Sequence, residues 1–264
     1  MKIITAVVNN PLFIEIQYNT LKKYFKENYE FIVFNDAKSF PDFTNYNDVA
    51  IKKKIEIMCQ KLNIKCINIP NQHHKKTTNA AIRCADSMNY ILQYQKKNPD
   101  KYLLLDSDMF LIDDFDINKY SQYDCAIVLQ QRCNNKIKYF WNGIYYFDFT
   151  KMKHIELLNW DVCTNCDVGG MMAEWLKKQT KYPNNIYFIK HLASCSWNEE
   201  HLPKRLQNNT GLISFLNSDV RNNPNFFCEI YDDVFLHYRA GGNWRLEGQQ
   251  VHDELTSSLK NLLL

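Results

Sequence analysis

The chain has 264 residues, 45% hydrophobic and 14% aromatic, with a formal net charge of +3. That is enough for a globular protein with a sizeable core, and the near-neutral balance excludes partners recognised by charge alone, such as nucleic acid or an anionic membrane surface. No apolar run has the length of a transmembrane helix, and nine cysteines without a secretory leader favour a reducing, cytoplasmic setting with free thiols.

Lys2–Val8 is an apolar strand, and Asn9, Asn10 and Pro11 end it too early for a leader peptide. Pro11 opens a helix in which Leu12, Ile16, Leu21 and Phe25 recur at roughly helical spacing. Glu30–Phe34 is a second strand, ending at Asn35-Asp36. A helix over about Asp48–Leu62 leads to a strand at Lys65–Ile69. The next helix, over about Thr77–Lys96, puts Ala81, Ala85, Met88 and Leu92 on one stripe, with Asn79 and Arg83 sharing another face. The basic segment before it, His73 to Lys76, reads as a surface loop. Tyr102–Leu105 is the fourth strand. This alternation predicts an α/β fold, a mostly parallel sheet with helices on both faces. Ligands of such sheets sit beyond the carboxyl ends of the strands, where Asn9, Asn10, Asp36 and Asp106 all fall.

The second half is less regular. Ala126–Gln130, Lys138–Phe147, Ile186–Ile189 and Val234–Tyr238 predict strands, and Val168–Lys178 and Glu247–Leu263 predict helices. This half is expected to extend the same sheet and build the second wall of a cleft. Cys163 and Cys166 form a lone Cys-x-x-Cys without a second ligand pair, so buried thiols are the simpler reading.

The apolar run of the fourth strand stops at Asp106-Ser107-Asp108 and then resumes as Met-Phe-Leu-Ile. Two neighbouring carboxylates at the mouth of a buried strand need compensation. A divalent cation supplies it, because Mg2+ and Mn2+ take oxygen ligands and commonly bridge carboxylates and phosphates. The competing reading is a solvated turn with capping aspartates, to which Asp113, Asp114 and Asp116 are assigned.

An apolar strand followed by Asp-x-Asp resembles the metal-dependent glycosyltransferases of the GT-A fold. A second segment, "FLHYRAGGNW" from Phe235 to Trp244, resembles the C-terminal His and Gly-rich turn of the glycogenin-like and bacterial galactosyltransferase-like retaining enzymes. The resemblance implies a single domain over 1–264, with a nucleotide-binding half at 1–112 and a donor-sugar and acceptor half at 113–264. It implies Asp106, Asp108 and His237 as metal ligands, with Mn2+ preferred over Mg2+ because imidazole suits it better. As a ligand, His237 would have to be neutral, so metal affinity is expected to fall at mildly acidic pH. Gly241 and Gly242 would approach the diphosphate. Where those families carry Lys-Pro-Trp this chain has Asn243-Trp244-Arg245, which moves the phosphate contact to Arg245 or Arg239. Asn9 and Asp36 would contact base or ribose, and Asn79 and Arg83 the donor sugar or diphosphate.

"FWNGIYYFDF" resembles the donor-sugar-lining Asn-Ser-Gly segment without its Ser, which makes Asn142 a candidate at the reacting centre. Asp167, ahead of Gly169-Gly170, is the second such candidate, with a helix N-cap as its competing role. The implied activity is transfer of a sugar, with retention, from a UDP-sugar to an acceptor that is a glycan, protein or lipid. The alternatives are an inverting enzyme with Asp167 or Glu174 as base, or a catalytically silent nucleotide- or sugar-binding module. A nucleotidyltransferase lacks support, since no basic Gly-rich loop follows the first strand.

Overall fold

The computed structural model describes residues 1–37, 48–70, 79–179, 184–194, 196–219, 228–242 and 248–264, with the side chains of Asp48 and Val49 left aside. Strands β1 (Lys2–Val7), β2 (Glu30–Asn35) and β4 (Lys101–Leu105) are built mostly of buried apolar residues, as central strands covered on both faces must be, while β3 (Lys65–Asn68), at the edge, is half polar and only partly covered. They pair in parallel, in the order β3-β2-β1-β4. The connecting helices are α1 (Leu12–Tyr24), α2 (Asp48–Lys61) and α3 (Ala80–Lys97). After a short strand β5 (Met109–Leu111) and a short helix α4 (Asn118–Ser121), β6 (Cys125–Arg132) and β7 (Ile137–Asp148) extend the sheet. β7 enters antiparallel to β4, and β8 (Ile186–Phe188) closes the far edge parallel to β6, giving seven strands.

The second half does not only extend this sheet. β5 pairs with β11 (Phe235–His237), which pairs with β10 (Glu229–Tyr231), which pairs with β9 (His191–Ala193), all antiparallel, as a separate four-stranded sheet. The three residues between β4 and β5 are the Asp-x-Asp itself, so the motif is the turn where the chain passes from one sheet to the other. Gln17, buried in the inner stripe of α1, fixes that turn: its Nε2 donates to the carbonyls of Asp106 (2.7 Å) and Met109 (2.9 Å). Apolar side chains pack on both faces of the main sheet, and a third cluster joins α1, α6 (Thr210–Ser218) and α7 (Gln249–Leu263) to the second sheet.

Two predicted elements are shorter than expected. The helix predicted over Val168–Lys178 is α5 (Met172–Lys177), because Gly169 takes φ +87° and the chain turns before the helix starts. The helix predicted from Thr77 begins at Ala80; Asn79 lies outside it as the N-cap, its Oδ1 accepting from the N–H of Ala81 (2.9 Å) and Ile82 (3.3 Å). Thr77 and the basic loop before it are outside the described residues.

Candidate metal centre and substrate cleft

A cleft of about 450 Å³ opens at the carboxyl ends of β1 and β4. Asp36, Arg83, Asp106, Asp108, Asn142, Asp167, His237 and Gly242 all line it. At its floor, one ligand atom from each of Asp106, Asp108 and His237 lies within 4.8 Å of the others, and among the described residues no other group of three metal-competent side chains does so.

Sheet register makes this meeting possible. His237 stands opposite Met109 in the β5–β11 pair, and the Tyr238 N–H donates to the Asp108 carbonyl (2.8 Å). The ring is thereby carried to the Asp-x-Asp turn from the far end of the sequence. His237 Nε2 lies 3.3 Å from Asp108 Oδ1. That oxygen is buried and has no hydrogen-bond partner of good geometry, while Asp108 Oδ2 accepts from the Gly241 N–H (2.8 Å). On the other side of the ring, His237 Nδ1 lies 2.7 Å from Glu229 Oε2. Asp106 Oδ1 accepts from the Ser107 N–H (2.8 Å), and the Asp106 N–H donates to the Gly143 carbonyl (2.7 Å).

The electrostatics follow from this crowding. Burial and the neighbouring Asp108 charge push the Asp106 carboxyl up to about 7. For His237, burial alone would lower the pKa, but the Asp108 and Glu229 carboxylates outweigh it and raise the group to about 10. Burial alone would raise Glu229, but its hydrogen bonds with His191 and His237 hold it well below the usual carboxylate range. In the metal-free protein a protonated imidazole therefore compensates the carboxylates. The proton–metal competition expected from the sequence at mildly acidic pH moves upward for the same reason.

The Asp108 oxygen that lacks a well-aligned hydrogen bond, the second carboxylate and an imidazole nitrogen near both make an oxygen-rich donor set suited to Mn2+ or Mg2+, with the nitrogen favouring Mn2+. Gly241 belongs to the same construction. A Cβ there would come within 2.6 Å of Tyr238 Cδ1, 2.9 Å of Phe13 Cζ and 3.0 Å of Asp108 Cβ, so the turn packs directly against the carboxylate. Gly242 faces the cleft, and its carbonyl accepts from Asn9 Nδ2 (2.6 Å).

Comparison with known proteins adds the fold. No protein-family model and no curated protein matches the chain. Two solved structures of the galactosyltransferase LgtC do. One, in complex with donor and acceptor sugar analogs, is 14% identical, with 98% of this chain and 96% of that chain covered and a TM-score of 0.49. The other, an active-site mutant, is 13% identical, with 99% and 96% covered and a TM-score of 0.50. The fold is GT-A.

Within the GT-A frame the other sequence candidates separate. Asp36 lines the cleft, its Oδ2 accepting from the Ser87 hydroxyl (2.6 Å), and Arg83 lines it from the buried side of α3. Asn142 lines it and donates from Nδ2 to Cys84 Sγ (3.4 Å). Asp167 is exposed at the rim and is not a helix cap, since α5 starts after Met171. Asn79 is occupied in capping α3 and does not line the cleft; Asn9 is buried beneath the Gly turn and does not line it either. Arg245, with Asn243 and Trp244, lies outside the described residues; Arg239 is described and lines the cleft. Trp160, Trp175 and Trp197 are core, while Trp141 lines the cleft. Its ring folds over Gly143, where a Cβ would come within 2.1 Å of Trp141 Cη2; that explains the Asn-Gly pair without a sugar-specific role for the glycine. Asp113 and Asp114 are in surface ion pairs with Arg205 (2.9 Å) and Lys26 (3.0 Å).

Two residues escaped the sequence reading. Gln17 left a signal, a long polar side chain in a buried helix stripe that is otherwise apolar but for Thr20. Glu229 left none, because its meaning depends on its pairing opposite His237 in β10–β11.

Proposed function

We propose that this chain is a metal-dependent glycosyltransferase that moves a sugar from a nucleotide-diphosphate donor, with UDP as carrier, to an acceptor hydroxyl with retention of configuration. The observation that carries the reading is the convergence of Asp106, Asp108 and His237 at the floor of a cleft in a GT-A fold. Those three side chains would hold Mn2+, with Mg2+ as second choice. The ion would act as a Lewis acid, neutralising charge that develops on the departing diphosphate. Asp36 would bind the base or ribose, with Asn9 acting from below as a brace for the Gly turn. Arg83, Gly242 and either Arg239 or Arg245 would face the diphosphate. Asn142 and Asp167 would orient the sugar hydroxyls at the reacting centre. One domain would carry both halves of the site, with nucleotide contacts from 1–112 and sugar contacts from 113–264. Eight cysteines among the described residues are free thiols, which suits a reducing, cytoplasmic setting. No helix among those residues is long and apolar enough to cross a membrane.

An inverting reaction has one observation in its favour, the exposed Asp167 carboxylate at the cleft rim. Glu174 is held by Lys177 (2.6 Å) and does not line the cleft, so Asp167 would be the base. The anomeric configuration of the product, read by NMR, chooses between the two.

Calorimetry of UDP binding, first with EDTA and then with Mn2+, tests the whole reading. Binding is expected only with the ion, because two carboxylates and a diphosphate repel one another. Equal affinity in both conditions would remove the argument. A donor panel assayed for Mn2+-dependent hydrolysis then identifies the sugar.

A further inference from the structure

Glu229 is buried, and every contact it makes fixes its orientation. Its Oε2 accepts from the Tyr231 hydroxyl (3.0 Å) and faces His237 Nδ1 (2.7 Å). Its Oε1 faces His191 Nε2 (3.1 Å) and Arg239 Nη1 (3.5 Å). Two strand pairings hold this set. Glu229 stands opposite His237 in β10–β11, and Tyr231 stands opposite His191 in β9–β10, with the two rings stacked at 4.7 Å and 12°. Residues directly opposite in an antiparallel pair share a face, so the carboxylate and the imidazole are brought side by side by register alone.

From this geometry we infer that Glu229 is a positioning residue for the metal centre: it engages Nδ1 of His237 and so directs Nε2, the nitrogen beside Asp108, toward the ion. The inference rests on the metal site proposed above. An imidazole ligand has two nitrogens, and the one that does not bind the metal needs an acceptor for its proton. A carboxylate there locks the ring orientation and makes the coordinating nitrogen a stronger donor. His191, Tyr231 and Arg239 in turn keep Glu229 from swinging away. A carboxylate that only braced the two strands would need neither the short bond to Nδ1 nor a ring whose other nitrogen faces Asp108.

The test is Mn2+ affinity, by calorimetry, of unmutated protein and of Glu229→Gln and Glu229→Ala, each confirmed folded by circular dichroism. Gln keeps the volume and an acceptor but loses the charge; Ala loses all three. The expected order of affinity is unmutated, then Gln, then Ala, with the Ala loss on the order of 10–100-fold. Variants that bind Mn2+ as tightly as the unmutated protein would overturn the inference while leaving the metal site standing. No Mn2+ binding by the unmutated protein would instead remove the metal site itself, and the inference with it. Should neither variant fold, the unmutated protein answers by histidine 15N NMR after loading with diamagnetic Cd2+. A proton on Nδ1 and a metal-shifted Nε2 of His237 is expected; the reverse assignment overturns the inference.

Discussion

His237 and Glu229 shift in opposite directions, and the signs fix how the metal-free protein responds to pH. The His237 pKa rises from its ordinary 6.5 to about 10, so its contribution to stability is complete below 6.5 and is lost as pH climbs through about 10. Glu229 falls below its ordinary 4.5, so its contribution is complete above that value and is lost as pH drops beneath it. Thermal midpoints of EDTA-treated protein should therefore be highest between about pH 4.5 and 6.5 and fall as pH climbs through about 10, and a steady rise in midpoint toward alkaline pH would contradict the ion pairs. Mn2+ would follow the reverse rule at His237, because it needs the neutral ring, and it would also have to displace the proton that burial and Asp108 hold on Asp106 up to about 7 in the metal-free protein. Its affinity should climb between about pH 6 and 9, and calorimetry across that range would show no slope if neither group were a ligand. Asp108→Asn isolates the charge from the shape. The amide oxygen can still accept from the Gly241 N–H, so the variant should fold, with its midpoint in EDTA lowered by loss of the ion pair to protonated His237. Mn2+ affinity should fall by more than the ~10–100-fold typical of outer-shell partners. Near-normal affinity in that variant would return the motif to the status of a turn.

At the scale of elements, α3 shows how one residue type can suggest two roles. Asn79 looked like a donor contact sharing a face with Arg83, but it stands outside the helix and caps it. Asn79→Ala should lower stability by about 1 kcal/mol and leave UDP and Mn2+ affinity unchanged. Loss of UDP binding with an unaltered melting midpoint would restore the contact. The first half of the fold was legible because its signals are long: β1, β2 and β4 are mostly apolar runs, and α1 and α3 carry helical stripes through several turns. Of the second sheet only β11 was legible, as the strand predicted over Val234–Tyr238; β5, β9 and β10 are three residues each, too short for any period to repeat. The Met-Phe-Leu that follows the Asp-x-Asp read as more of the same strand, and it is the first strand of another sheet. The site divides in the same way. Asp106, Asp108 and His237 were legible through the short segments around them, whereas Glu229 has no local pattern and acquires a role only when β10 and β11 pair. Asp167 was ambiguous between cap and cleft, and the late start of α5 removes the cap.

For the whole molecule, the proposed metal centre joins parts of the chain that are far apart in sequence, as the 133-residue separation of Asp108 and Gly241 shows. An ion bound only by the folded form would stabilise it by mass action, ~2.7 kcal/mol at a free concentration 100 times the dissociation constant. The melting midpoint should therefore rise with added Mn2+ and return with EDTA; a midpoint indifferent to Mn2+ at saturating concentration would mean that no such linkage exists. The turn that carries the two aspartates lies between the sheets, and this gives the ion a second effect, on the lifetime of one part of the fold. The strands that pair the Glu229–His237 hairpin with β5 are three residues long, while β1 and β4 lie within the main sheet. The hairpin should be the segment that opens first, as a cooperative unit smaller than the protein. Its amide hydrogens should exchange with solvent deuterium well before those of β1 and β4 in EDTA and slow selectively when Mn2+ is added.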